Sequence, residues 1–307
     1  MADDKVPTGV EVTHFNPDYL EDPYPVLKTL RERDPFHHDT ELKRYIVCEY
    51  EDVKAILRDP DLLSNPHSSK PDSFARHFLA DDSGEVSMLL ADEPDHRRLR
   101  MLVNDLFKPR VVETWRSRVV EIVEQVLDRI EGPDFDVIKD FAEPVPTVVI
   151  AEIMGIPTDR QEDFKRWSAA TVEAAFNPAL EDDVRARAEA GTEALINFFA
   201  EQVAERRDKP GDDLISDLIR SQVEGDQLTD SEIISQCTLL LLAGNLTTTD
   251  LIGNGIRTLL EHPDQLALLR QDPSLIEAAV EEILRYESPV LNSGRITHKD
   301  LDWAGCP

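Results

Sequence analysis

The segment from Thr229 to Glu261 has the pattern of one long helix, and its length constrains the fold more than any other feature. Thr229 can cap this helix, and Glu232 can complete a capping box. Apolar residues dominate both faces from Ile233 to Leu242, which predicts a helix buried on most sides and roughly 45 to 50 Å long. The rest of the chain then has to pack around it. The uninterrupted apolar run is far shorter than the ~20 residues of a membrane span.

Poor helix formers interrupt the middle of this helix, from Ala243 to Thr249. Ala243 and Gly244 remove side-chain bulk, and Thr247 can bond back to the carbonyl of Ala243 and bend the helix. Such a conflict between local propensity and overall pattern is typical of functional or strained sites. Two interpretations stay open: a flat ligand approaches the backbone here, or another helix packs closely against the small residues.

The charge balance excludes one class of function. The formal net charge is −29, from 62 acidic and 33 basic residues, whereas sequence-independent nucleic-acid binding needs a basic footprint. No apolar segment follows Met1, so we expect neither a signal peptide nor a membrane anchor. Cys48, Cys237 and Cys306 lack metal-ligand spacing and fit a reducing cytoplasm better than a disulfide framework. We therefore expect a cytoplasmic protein without nucleic-acid or membrane partners.

Helical periodicity dominates the chain, which predicts a mainly α fold with a small β part near each end. We expect a single domain over residues 1–307, made of a polar N-terminal arm (1–20), a mixed α/β part with a long irregular segment (21–90), a helical core (91–290) and the start of a strand region (291–307). The sequence contains no Gly-rich phosphate loop, nucleophile elbow, HExxH motif or paired CxxC.

Two charged groups stand out on predicted helices. His96 and Arg100 lie four residues apart, and this positive charge would suit a carboxylate or phosphate group of a ligand. The alternative is a solvated helix face paired with nearby carboxylates. Glu282 and Arg285 lie three apart, with Arg295 soon after, and the alternative there is an ordinary surface pair.

Three motifs in a fixed order, DEPDHRRLR, AGNLTTTD and EEILR followed by SGR, resemble the cytochrome P450 family in its soluble bacterial form. The resemblance implies a cytochrome P450 fold that is incomplete at the C-terminus. In the family, a cysteine in a Gly-rich loop downstream of the Glu-x-x-Arg pair holds the haem iron, and this chain stops at Pro307 before such a loop. The surroundings of Cys306 resemble a strand region instead.

The resemblance also assigns haem contacts. It implies that His96, Arg100 and Arg295 bind the propionates of haem b. Ala243 and Gly244 correspond to the place where the central helix passes over the haem.

Further roles follow from the same resemblance. Thr247 matches the threonine that helps deliver protons to iron-bound dioxygen, and Glu282 and Arg285 match the pair that supports the haem-proximal core. The position before Thr247 is acidic in the usual pattern but is Leu246 here. Asp250, one turn on, is a candidate substitute for the missing acid.

The function implied by the resemblance is that of a haem-dependent monooxygenase. The complete enzyme would insert one atom of dioxygen into an apolar organic substrate, with electrons from a ferredoxin-type or flavin redox partner. The alternative is a truncated homologue that serves as a binding or interaction protein without oxygen activation. The candidate substrate contacts are Phe74, Met88, Leu89, Leu90, Phe176 and Leu242.

Overall fold

The structure is a computed structural model that describes residues 6–13, 15–71, 73, 75–76, 87–157, 160–176, 182–223, 225–299 and 303. In this part of the chain, helices predominate and the strands form two short antiparallel pairs. The predicted fold class, mainly α with a small β part, is therefore confirmed. None of the helices described combines the length and the hydropathy needed to cross a lipid bilayer.

The elements are numbered in chain order. The α-helices are α1 (Pro17–Glu21), α2 (Tyr24–Arg33), α3 (Tyr50–Arg58), α4 (Asp95–Asn104), α5 (Pro109–Thr114), α6 (Arg116–Leu127), α7 (Pro144–Met154), α8 (Gln161–Phe176), α9 (Asp182–Asp208), α10 (Leu214–Arg220), α11 (Asp230–Glu261), α12 (Pro263–Gln271) and α13 (Ile276–Tyr286). Short 3-10 turns cover Gly9–Val12, Pro66–Ser68, Asp105–Phe107 and Pro273–Leu275, and a π-helical turn covers Val137–Ala142. Strand β1 (Phe36–Asp39) pairs with β2 (Arg44–Val47), with Phe36 opposite Val47, and β3 (Gln222–Val223) pairs with β4 (Asp226–Gln227).

Helix α11 is the predicted central helix and is continuous from Asp230 to Glu261. Its N-terminus has the predicted capping box, because the Thr229 hydroxyl accepts from the Glu232 amide at 3.2 Å and Glu232 Oε2 accepts from the Thr229 amide at 2.8 Å. Ile233, Cys237 and Leu241 follow one another every four residues and each has 0% exposure, as does the neighbouring Gln236. This spacing gives the helix one fully buried stripe.

The chain divides into two compact units, each made of non-consecutive segments. The first contains Met1–His96, Ala170–Glu189 and Gly294–Pro307, and the second contains Arg97–Ala169 and Ala190–Ser293. In the second unit, α11 packs against α7, the π-helical turn, α10, α12 and α13. The single domain expected from the sequence stays a prediction.

The expected polar arm at residues 1–20 was wrong for its described part. Val12 and Tyr19 are buried, and Asp39 at the end of β1 holds this segment. Asp39 Oδ1 accepts from the Thr8 hydroxyl and from the Gly9 amide, both at 3.1 Å. Burial alone would raise the pKa of Asp39, but hydrogen bonds from the Leu42 amide and from Arg44 lower it below its ordinary value. One buried carboxylate thus ties the N-terminal segment to the hairpin.

The strand region expected at residues 291–307 is reduced in its described part to isolated pairing. Leu63 and Ile296 form one antiparallel bridge, with both N–O distances at 2.8 Å.

Candidate functional site

The open face of α11 carries the residues predicted to lie at its centre. Ala243 and Asp250 are exposed and Thr247 is half-buried. Because these residues are spaced by four and then three positions, they lie on one side of the helix. The Thr247 hydroxyl donates to the carbonyl of Ala243 at 2.6 Å, as predicted. The face therefore offers a small side chain, a hydroxyl and a carboxyl group in sequence.

Gly244 is not required by close helix packing. Among the described atoms around it, a Cβ at Gly244 would meet only the side chain of Ile150 on α7, at 3.5 Å, which is an ordinary contact. At Gly253, by contrast, a Cβ would lie 2.6 Å from Ile138 Cδ1. A methyl group at 253 would thus require the end of the exposed Ile138 side chain to move, whereas one at 244 would require no movement. Close packing therefore does not require glycine at 244, and ligand approach at Ala243 and Gly244 stays a prediction.

Asp250 has an altered acidity. The carboxyl group is on the exposed side of α11, but the surrounding protein removes enough water to raise its pKa above the ordinary 3.8. Side chains on a helix lean toward its N-terminus, so the Asp250 carboxyl group leans toward the turn that carries Leu246 and Thr247. A carboxyl group that holds its proton more tightly than usual therefore follows the hydroxyl on the same face.

The opposite side of α11 holds two polar residues that sequence reasoning missed. The Thr147 hydroxyl on α7 lies within hydrogen-bond distance of Asn245 Oδ1, at 2.9 Å, and each residue is only 6% exposed. The Thr249 hydroxyl donates to the carbonyl of Ala142 at 3.3 Å. Asn245 continues the four-residue spacing of the buried apolar stripe, and a polar residue at such a position was the available signal.

The basic cluster on α4 separates into different roles. His96 Nδ1 lies 3.1 Å from Glu93 Oε1, and Arg98 pairs with Asp226 at 3.2 Å and also with Glu232. Arg100 is exposed, and no carboxylate of the described residues pairs with it. The solvated-face alternative thus fits both His96, which is paired with a nearby carboxylate, and the exposed Arg100, and propionate binding by the two residues stays a prediction.

Arg295 and the Glu282–Arg285 pair are also placed. Arg295 is half-buried and donates from a terminal nitrogen to the carbonyl of Gly294 at 2.7 Å. Arg285 holds Glu282 through two hydrogen bonds of 2.7 Å, and these lower the pKa of Glu282. Both side chains of the pair are more than half exposed, at 61% and 68%. The pair has the geometry of an ordinary surface pair, and its support of a haem-proximal core stays a prediction.

The candidate substrate contacts are partly within the described residues. Met88, Leu90 and Leu242 are half-buried, and Leu89 is 65% exposed. Phe74 lies outside the described residues, as does the side chain of Phe176.

The two described cysteines are thiols removed partly or wholly from water. Burial raises the pKa of Cys237 to about 12, and burial also raises the pKa of the half-buried Cys48. Burial therefore favours the neutral thiol over the thiolate at both positions. Cys306 lies outside the described residues. Within them, no group of three or more His, Cys, Asp or Glu side chains could hold a metal ion.

The fold is mainly α and is built around one long helix, which exposes the small residue Ala243 near its middle. The profile of the Cytochrome P450 family matches residues 41–306, and the chain belongs to that family.

Known relatives extend beyond the length of this chain. Cytochrome P450 107B1 of Saccharopolyspora erythraea is 40% identical over 82% of the chain and 62% of its own length. The biotin biosynthesis cytochrome P450 of Bacillus subtilis is 37% identical over 94% of the chain and 73% of its own length. The solved structure of P450BioI in complex with hexadec-9Z-enoic acid ligated acyl carrier protein is 34% identical, with a TM-score of 0.85 over 94% of this chain and 74% of that one. The chain thus spans about two thirds of the length of these relatives.

Proposed function

We propose that this chain forms the part of a haem-dependent monooxygenase that contacts dioxygen and the substrate. The complete enzyme would insert one atom of dioxygen into an apolar organic substrate. The observation that carries the proposal is the open face of α11, with exposed Ala243, the back-bonded Thr247 hydroxyl and the Asp250 carboxyl group. Family membership supports the same assignment.

The chemistry of the predicted site residues is compatible with a haem in this proposal. The small side chain of Ala243 would let a flat ring approach the helix backbone. At Gly244, packing against Ile150 does not require the absence of a side chain. His96, Arg100 and Arg295 are cations suited to the two carboxylates of haem b. By the family resemblance, the iron would be held by a cysteine downstream of the Glu282–Arg285 pair and not by Cys48 or Cys237. When bound, haem supplies the iron centre at which dioxygen is reduced, a chemistry that side chains lack.

Proton supply is the task assigned to Thr247 and Asp250. The Thr247 hydroxyl donates to the Ala243 carbonyl, so its oxygen can accept a hydrogen bond from a proton donor on the open side. The Asp250 carboxyl group leans toward this hydroxyl. Its pKa is raised, so it keeps its proton to a higher pH than an ordinary aspartic acid does. Leu246 cannot carry a proton, so Asp250 is the acid of this face in our proposal.

The substrate is proposed to be apolar. Met88, Leu90 and Leu242 are half-buried aliphatic side chains that can contact it, and burial of apolar surface provides most of the binding free energy in such sites. The acyl chain carried by the partner of P450BioI supports an apolar substrate class. Electrons would come from a ferredoxin-type or flavin partner, and an acidic partner would meet exposed Arg97 and Arg110, which are cations in an otherwise acidic chain.

Haem titration of the purified chain tests the proposal. We expect a Soret band and saturable quenching of tryptophan fluorescence by haem. Because the phenyl ring of Ala243→Phe would occupy the open face, we expect this variant to bind haem about tenfold more weakly or worse. A tenfold change corresponds to about 1.4 kcal/mol of binding free energy. Leu260→Phe is the matched control, because Leu260 is an exposed residue near the end of the same helix. A folded, colourless chain, or equal affinities for both variants, would support the alternative binding protein.

A further inference from the structure

We propose that Asn245 is a positioning residue that, together with Thr147, fixes the rotation of α11 about its own axis and thereby keeps Ala243 and Thr247 on the open face. The catalytic consequence rests on the proposed function, whereas the rotation itself does not.

The contact between Asn245 and Thr147 is buried and directional. The hydroxyl of Thr147 lies 2.9 Å from Asn245 Oδ1 and 2.7 Å from the carbonyl of Glu143. One hydroxyl proton serves only one of these acceptors well. Turning the Asn245 amide by 180° would place its Nδ2 donor at this contact, and both hydrogen bonds then form at once. In either orientation the bond joins the same two side chains.

Asn245 occupies the position after three apolar residues of the buried stripe. Ile233, Cys237 and Leu241 precede Asn245 at four-residue spacing and are fully buried. A buried amide costs free energy unless it is hydrogen-bonded, and an aliphatic side chain at the same place would not carry this cost. Packing alone would therefore favour leucine at 245, whereas a fixed orientation favours asparagine.

The geometry of a helix links this pair to the open face. Successive residues are rotated by about 100°, so Ala243 and Thr247, two positions before and after Asn245, lie about 160° and 200° around the axis from it. The hydrogen bond is thus centred opposite the face that carries the small residue and the hydroxyl. Apolar contacts along the stripe are non-directional and tolerate rotation, whereas the hydrogen bond between Asn245 and Thr147 does not.

The experiment measures rotation without haem. Ala243→Cys, in a Cys48→Ser and Cys306→Ser background, places one reactive thiol on the open face, while Cys237 stays buried with its pKa raised. The labelling rate of this thiol by a maleimide is then compared among Thr147→Val, Asn245→Leu, the double variant and Thr147→Ser. Urea denaturation is measured for each.

We expect the double variant to recover the urea midpoint, because two apolar groups replace both partners of the bond. Its thiol should nonetheless label about threefold more slowly, since labelling follows exposure of the thiol. Thr147→Ser keeps the hydroxyl and should label at the parent rate. If labelling in the double variant equals that of the parent, the pair stabilises the fold without positioning the helix, and the proposal is wrong. If the double variant does not fold, Thr147→Val against Thr147→Ser decides the question in the same way.

This outcome is separable from the proposed function. Slower maleimide labelling of the double variant, together with no haem binding by the parent chain, would support the proposal that Asn245 and Thr147 fix the rotation of α11. The same result would contradict the monooxygenase assignment. Equal labelling rates in the double variant and the parent, together with haem binding by the parent, would contradict the positioning role of Asn245 and leave the proposed function standing.

Discussion

At the scale of single residues, Asp250 should reduce stability while it serves the proposed proton supply. The folded state raises its pKa above 3.8, so the native protein binds the proton more tightly than the unfolded chain does. The free energy of unfolding therefore falls as the pH rises from the ordinary pKa through the raised one. Asp250→Asn removes this loss. We expect its urea midpoint to exceed that of the wild type at pH 7, and the difference to vanish below pH 3.8.

Asp264→Asn provides a control of opposite sign. A hydrogen bond from the Gln265 side chain lowers the pKa of Asp264, so its carboxylate stabilises the native state above the ordinary pKa. Its substitution should lower the midpoint at pH 7.

In the complete enzyme, Asp250→Asn should also divert electrons from product to peroxide or water, as seen by the ratio of product to reductant consumed. An unchanged ratio would exclude Asp250 as the acid of the open face.

At the scale of elements, the two glycines of α11 should respond differently to alanine. Alanine is favoured over glycine inside a helix by about 0.8 to 1 kcal/mol. At Gly244 the new methyl group meets Ile150 at an ordinary distance, so Gly244→Ala should raise the free energy of unfolding by most of that amount. At Gly253 the methyl group would lie 2.6 Å from Ile138 Cδ1. Gly253→Ala should therefore raise the free energy of unfolding by less than Gly244→Ala does, or lower it. Ile138→Val removes that atom and should restore the gain. Equal effects at both glycines in urea denaturation would contradict this account.

A buried ion pair joins three helices and should be costly to break. Arg206 on α9 pairs with Asp213 at 2.9 Å, with side-chain exposures of 8% and 12%, and also donates to the carbonyl of Gly155 after α7. Asp213 caps α10 by accepting from the Ser216 amide at 2.8 Å. Asp213→Ala leaves a buried charge unpaired, so we expect a loss of about 3 to 5 kcal/mol in the free energy of unfolding.

The exposed Glu113–Arg116 pair is the matched control for that substitution. Its side chains are 62% and 71% exposed, and solvent screens their attraction. Glu113→Ala should therefore change the urea midpoint far less than Asp213→Ala does. Similar losses for the two variants would mean that burial does not set the strength of these pairs.

Sequence patterns predicted the helices well because each signal is local. The capping residues Thr229 and Glu232 and the apolar spacing of α11 act within a few residues, and the structure confirms them. The N-terminal segment was predicted wrongly because its order depends on Asp39, about thirty residues away in sequence. No local pattern reports such a partner.

The site shows the same division. The hydrogen bond from Thr247 to Ala243 spans one helical turn and was predicted, whereas the bond from Thr147 to Asn245 joins two helices and was missed. The pKa of Asp250 likewise depends on which parts of the chain exclude water from it. Long-range packing fixes these features, and a single sequence does not encode them in a readable local form.

At the scale of the whole molecule, the formal net charge of −29 sets a balance between two electrostatic effects. Like charges repel one another in the compact state and reduce its stability. Exposed ion pairs such as Lys28–Glu32 at 3.9 Å act in the opposite direction, but each contributes little. Salt screens both effects, so the sign of the salt dependence shows which is larger.

We expect repulsion to dominate, so that added salt stabilises the protein. The Debye length falls from about 30 Å at 0.01 M to about 10 Å at 0.1 M, which screens repulsion across the molecule before it screens pairs in contact. The urea midpoint should therefore rise between these concentrations of NaCl, and equally in KCl if screening rather than ion binding is the cause. Glu124→Gln with Glu131→Gln removes two exposed charges and should raise the midpoint at 0.01 M while making it less sensitive to salt. A midpoint that falls with salt would show that ion pairs outweigh repulsion despite the large net charge.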